Sequence, residues 1–251
     1  MVKLEVCVDS LDSALAAIEG GASRLELCSG LDLGGLTPGP GLLQAVLSQK
    51  KLPVHVLIRP RAGDFCYSAD ELAMMETDIC QANNLGAAGV VFGALTHCGS
   101  VDEPAVSRLT QAAKGMQVTF HRAFDLASDP WSALETLLEM GIHYLLSSGQ
   151  APSAVEGKGL LRELVRRTKG KLAVMPGGGV NESNAGALAR ATGAEWLHAS
   201  ARSSYPGPMS FRREHLSMGL PGHDEYSRWR TDADKVRSII RAAQSIDCAE
   251  S

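Results

Sequence analysis

Eight short β-branched or apolar runs alternate with stretches of helical periodicity along the whole chain, and this alternation constrains the fold more than any single motif. The runs are Leu4–Val8, Leu25–Cys28, Val54–Arg59, Gly89–Gly93, Val118–Arg122, Tyr144–Ser147, Leu172–Met175 and Trp196–Ser200. Several of the intervening stretches carry helix-start signals. Ser10 precedes Leu11–Glu19, and Ser68, with Glu71 three residues on, precedes Ala69–Asn83. Asp129 and Pro130 open Trp131–Met140, Asn181 precedes Glu182–Ala191, and Asp232 precedes Ala233–Ser245. Gly20, Gly86, Gly115, Gly141 and Gly193 stand where helices end.

Parallel strands need a crossover of a dozen or more residues, which a helix supplies, and eight such units are the number that closes a ring. The pattern therefore predicts an α/β chain folded as a single-domain (β/α)₈ TIM-like barrel over residues 1–251. An open doubly wound sheet is the competing arrangement, weakened because no G-x-G-x-x-G follows the first strand. One segment breaks the rhythm. Arg202 to Thr231, between strand eight and the last helix, is too long for an ordinary connection and suggests a lid, an added short helix or an interface element.

Composition excludes some classes. The 24 Lys+Arg and 28 Asp+Glu give a net charge of -4 with no long basic run, which argues against nucleic acid. No run reaches the roughly 18 apolar residues of a membrane span. The start of the chain lacks the apolar stretch of a signal peptide, so a cytoplasmic location is expected. The six cysteines, Cys7, Cys28, Cys66, Cys80, Cys98 and Cys248, include no C-x-x-C pair and are expected to be free thiols.

Alternation within the strands sorts residues into two faces. Val6, Leu25, Val56, Val118 and Leu197 fall on the face toward the helices; Glu5, Cys7, Glu26, Cys28, His55, Arg59, His121 and His198 fall on the interior face. A polar interior is costly unless its groups pair or bind something. Glu5, Glu26, Arg59, His121 and His198 are expected to converge at the C-terminal mouth, where barrel enzymes place their sites. Loops after the strands add Arg61, Arg122, Asp125 and Ser147, and Gly177-Gly178-Gly179 exposes backbone amides suited to an anion. Cys7 and Cys28 each follow a strand glutamate by two residues. On neighbouring strands, with backbones about 4.8 Å apart, they are expected at similar height. Such a pair either holds a soft ion such as Cu(I) or is simply two small buried hydrophobes. A Schiff-base aldolase is disfavoured because no lysine lies inside a strand, and G-x-S-x-G and H-E-x-x-H are absent.

The segments Leu4-Glu5-Val6-Cys7-Val8-Asp9-Ser10, Arg24-Leu25-Glu26-Leu27-Cys28-Ser29, Gly34-Gly35-Leu36-Thr37-Pro38, Ile58-Arg59-Pro60-Arg61, Gly63-Asp64-Phe65, Thr119-Phe120-His121-Arg122-Ala123-Phe124-Asp125 and Pro176-Gly177-Gly178-Gly179 resemble the CutC copper-homeostasis family, essentially end to end. The resemblance implies a TIM-like barrel in a cytoplasmic, often homo-oligomeric protein linked to copper, with Cu(I) binding assigned to cysteines that fall on Cys7 and Cys28. Leu33 and Gly39 depart from the family pattern, which usually has Glu and Ser there.

Two functions from different classes follow. One is copper homeostasis, with Cu(I) on Cys7 and Cys28. The other is a barrel enzyme of isomerase or lyase type acting on a small anionic or phosphorylated metabolite. In it Glu5, Glu26 and His121 act as acid/base groups, and Arg59, Arg61, Arg122, Asp125, Ser147, His198 and Gly177–Gly179 bind the ligand. A hard divalent metal on Glu5, Glu26, His121 and His198 is a variant of the second. A purely structural role, with Arg202–Thr231 at a subunit interface, is the third reading.

Overall fold

The computed structural model describes every residue except 169, 214, 217, 219–223 and 246–251, so Cys248 and His223 lie outside the described residues. Its strands are β1 (Lys3–Val8), β2 (Arg24–Leu27), β3 (Val54–Leu57), β4 (Gly89–Phe92), β5 (Gln117–Phe120), β6 (Tyr144–Ser147), β7 (Ala173–Pro176) and β8 (Trp196–Ala199). All eight pair in parallel, in the order β7-β6-β5-β4-β3-β2-β1-β8. Strands β7 and β8 pack side by side and bring the ring nearly to closure.

The helices are α1 (Leu11–Glu19), α2 (Pro40–Leu47), α3 (Ala69–Asn84), α4 (Glu103–Ala112), α5 (Pro130–Glu139), α6 (Lys158–Thr168), α7 (Ala185–Thr192) and α8 (Ala233–Gln244). Ser10, Ser68, Asp129 and Asp232 cap as their sequence positions predict, and Ser68 with Glu71 forms a complete capping box. Asn181 does not cap. Its Oδ1 accepts from the Ser183 amide and hydroxyl, which spends the side chain on a local turn, and α7 starts only at Ala185.

The main core lies between sheet and helices and includes Val6, Leu25, Val56, Val118 and Leu197. The opposite face fills the barrel. Arg24 of β2 shows this: its guanidinium lies over Tyr144 of β6 and Trp196 of β8 and bonds Met175 of β7, contacts that only a side chain crossing the interior can make. Interior apolar packing comes in two groups: Cys7, Cys28, Leu57 and Val91, and Leu146, Met175 and Trp196.

The segment after β8 begins and ends in an antiparallel hairpin, β9 (Arg202–Pro206) paired with β10 (Ser227–Thr231). Among the described residues it holds no short helix. The hairpin is tied down by Asp232, which accepts from the Ser203 and Tyr205 hydroxyls while capping α8, and by the Thr231 amide bonded to Ser13 Oγ.

A candidate site at the barrel mouth

The interior polar groups form two layers. In the lower layer Glu5 and Arg24, both buried, pair at 2.5 Å. Burial pushes the Glu5 carboxyl above its ordinary value against the pull of Arg24. His55, below ordinary values at about 3 because of burial, bonds Thr119 and Gln117 and serves the same internal network.

Above this lies the Glu26–His198 pair, joined through Nε2. Burial opposes charge on both partners. It is outweighed by their mutual attraction, so Glu26 sits below and His198 above its usual value. Cys7 is the register partner of Glu26, and Glu5 is the register partner of Arg24 and His198. Cys28 stands two residues past Glu26, just beyond the end of β2. The Cys7 and Cys28 Sγ atoms approach to 3.6 Å, as expected of thiols at similar height on neighbouring strands. The bond with Cys28 first, then burial, with the nearby Glu26 and Glu5 charges, hold the Cys7 thiol well above its ordinary value.

Several site residues lie just beyond the ladder ends. The Cys28, Ile58 and His121 amides still bond Val8, Val91 and Phe92, so the chain remains fixed as it leaves the sheet. His121 Nδ1 accepts the Ala123 amide at 3.2 Å, which places the ring proton on Nε2. Burial chiefly, with Arg59 nearby, lowers its pKa to about 4 despite the opposing Glu26 charge.

A cavity of about 290 Å³ opens at this level, lined by Cys7, Glu26, Arg59, His121, Arg122 and His198, with Phe65, Gly178, Gly179 and Arg202. Six sequence candidates stay out of its wall. Glu5 is sealed in the lower layer, and Cys28 is fully buried behind Cys7. Arg61 turns to Glu71, Asp64 and the Cys66 carbonyl. Asp125 and Ser147 bond each other at 2.6 Å, and Asp125 also accepts from Ser148, Gln150 and Arg122, so its lone pairs are spent on shaping the loop after β6. Gly177 donates to Ser147 O. Among the described residues the cluster with metal-ligand geometry is Cys7, Glu26 and His198, whose donor atoms lie within 4.8 Å of one another; the divalent set of Glu5, Glu26, His121 and His198 does not assemble.

The sequence pattern assigns no role to Arg24, Phe65 or Arg202. Arg24 does carry a signal, a charge in phase with Glu26 on β2. Arg202 carries none: the Arg202–Asp32 pair at 3.1 Å joins segments 170 residues apart.

The low His121 pKa has a measurable sign. Between its ordinary value of 6.5 and about 4 the unfolded chain takes up a proton that the folded chain refuses, so stability falls as pH drops through that window. This group is expected to remove about 2 kcal/mol between pH 7 and pH 5. Urea unfolding of the His121→Phe protein at both pH values should show that component gone.

The family model described as the CutC family matches residues 2–203. The chain is 47% identical over 244 residues to the "Copper homeostasis protein cutC homolog" of Mus musculus, covering 97% of this chain and 90% of that one. It is 46% identical to the Homo sapiens protein of the same description, covering 97% and 89%. A Streptococcus agalactiae structure described as a copper homeostasis protein CutC superposes with TM-score 0.76 at 32% identity, covering 80% of this chain and 99% of that one. Phosphoribosyl anthranilate isomerase from Thermotoga maritima shares the fold alone, with TM-score 0.56 at 14% identity over 98% of this chain and 100% of that one. With the barrel, the interior Glu-x-Cys strands and the full-length identity in agreement, the chain belongs to the CutC family.

Proposed function

We propose that this protein serves copper homeostasis and takes Cu(I) as cargo on the paired thiols of Cys7 and Cys28. The observation that carries the reading is the 3.6 Å approach of two reduced sulfurs, one lining the cavity and the other sealed behind it. Soft thiolates suit Cu(I), and the family relatives bear a copper-homeostasis description. Binding must displace the Cys7 proton, which the bond with Cys28, burial and the neighbouring carboxylates hold tightly. Glu26 and His198 lie within reach of Cys7 and can accept or balance the charge that changes there.

The reading carries two further expectations. In the cytoplasm the thiols stay reduced, and the chain assembles with copies of itself, which sedimentation reads directly. The deciding experiment is anaerobic titration with Cu(I) against a chromophoric Cu(I) chelator. One copper retained per chain supports the reading; copper that passes wholly to a weak chelator removes it.

A further inference from the structure

Arg59, His121 and Arg122 bring unmatched donors to a cavity whose one carboxylate among the described residues, Glu26, is engaged by His198. Arg59 is 7% exposed, and its terminal nitrogens bond only carbonyls: Nη1 to Leu33 and Gly35, each at 3.0 Å, and Nη2 to Gly63 at 2.9 Å. Its Nε has no partner, and among the described residues the guanidinium has no carboxylate within ion-pair distance. His121 is 6% exposed and its protonated Nε2 likewise has no partner. A buried cation and a buried N–H left in this state are costly unless a ligand completes them.

Arg122 supplies a third donor. Its Nε is taken by Asp125 at 2.8 Å and one terminal nitrogen by Ser148 Oγ at 2.9 Å, which leaves Nη1. The guanidinium lies against Gly178, whose backbone has φ +98° and where an added Cβ would stand 3.5 Å from it. Gly178 and Gly179 line the same cavity, so the turn after β7 and the side chain after β5 form one wall.

The donor pattern discriminates between anions. Arg59 spends three of its five N–H groups on carbonyls and keeps Nε–H and one on Nη2, His121 keeps Nε2–H, and Arg122 keeps the two on Nη1. Donors from three side chains exceed the roughly four lone-pair sites on the two oxygens of a planar carboxylate and suit an anion that shares them among three oxygens. That arrangement matches a tetrahedral oxyanion.

We propose that the barrel mouth binds the phosphate group of a small phosphorylated metabolite, held by Arg59, His121 and Arg122 against the Gly178-Gly179 turn. A cavity of about 290 Å³ leaves room for the phosphate and a short carbon skeleton. The site does not depend on the thiols, so this proposal and the copper reading stand or fall on different residues.

The test is titration of copper-free protein with inorganic phosphate, with acetate and chloride at matched ionic strength, read by calorimetry and thermal shift. Phosphate should raise the Tm saturably and acetate should not. Arg122→Gln, at a half-exposed side chain that the fold tolerates, should weaken phosphate binding at least tenfold, and so should His121→Phe, which keeps the ring packed on Phe65. The Cys7→Ser/Cys28→Ser protein should bind phosphate as before. Equal effects of phosphate and acetate, unchanged binding in folded Arg122→Gln, or loss of binding in the cysteine variant would each overturn the proposal.

Discussion

Replacing Cys7 and Cys28 together with serine is expected to abolish Cu(I) retention, and either single replacement to weaken it by more than about 100-fold. That exceeds the 10- to 100-fold typical of losing a group that merely supports a ligand. The two sulfurs meet at 3.6 Å, packed on Leu57 and Val91, and the donors beside Cys7 (Glu26 and His198) are oxygen and nitrogen, so no other thiolate can substitute. Because metal displaces the Cys7 proton, apparent affinity should also fall about tenfold for each pH unit of acidification, for that proton alone. Competition titrations of the three variants, with circular dichroism to confirm folding, check this. Serine at position 28 buries a hydroxyl, at a cost of about 1–3 kcal/mol if it finds no acceptor, so Cys28→Ala is the companion variant. Full copper stoichiometry in the double variant would refute the assignment of the thiols.

Glu5→Gln is expected to be the most destabilising conservative change, costing about 3–5 kcal/mol. Arg24 and Glu5 are a buried pair, and removing one charge leaves the other with no water and no counter-ion. At roughly 2–4 °C per kcal/mol for a chain of this size, Tm should fall by about 6–20 °C. Tyr144 and Trp196, at 4.0 and 4.4 Å from the guanidinium, stay in place and soften but do not cancel the loss. The double variant Glu5→Gln/Arg24→Met should recover much of the stability, since replacing both members of a buried pair is often close to neutral. The result also sorts roles. A Tm that barely moves in Glu5→Gln would mean that the pair does not hold the barrel together and that Glu5 is free for proton transfer after all.

Part of the site is legible in the amino-acid sequence. Glu26, Arg59, His121 and His198 all line the cavity, and each is marked by strand phase alone: a charged or titratable residue alternating with apolar neighbours must face the interior once the apolar set packs on helices. Asp125 and Ser147 show where that logic stops. Asp125 follows β5 and Ser147 ends β6, yet they spend their hydrogen bonds on each other and on the loop after β6. Nothing local distinguishes an acceptor saturated by distant amides from one left open to a ligand. The cap positions divide in the same way: Ser68 sits in a motif whose partner is three residues away, whereas Asn181 adopts a turn that its own sequence permits equally well.

What the sequence determined by itself was the class and the sidedness of the barrel, because periods of 2 and 3.6 residues dictate which side chains can leave water together. The tertiary structure decided the vertical order inside. Register between β1 and β2 paired Cys7 with Glu26 and Glu5 with Arg24 below the cavity, and closure of the ring left His121 and Arg59 with unmatched donors at the mouth. Strand register and closure are properties of the whole ring, fixed by packing among eight segments, and no one of them encodes its own height.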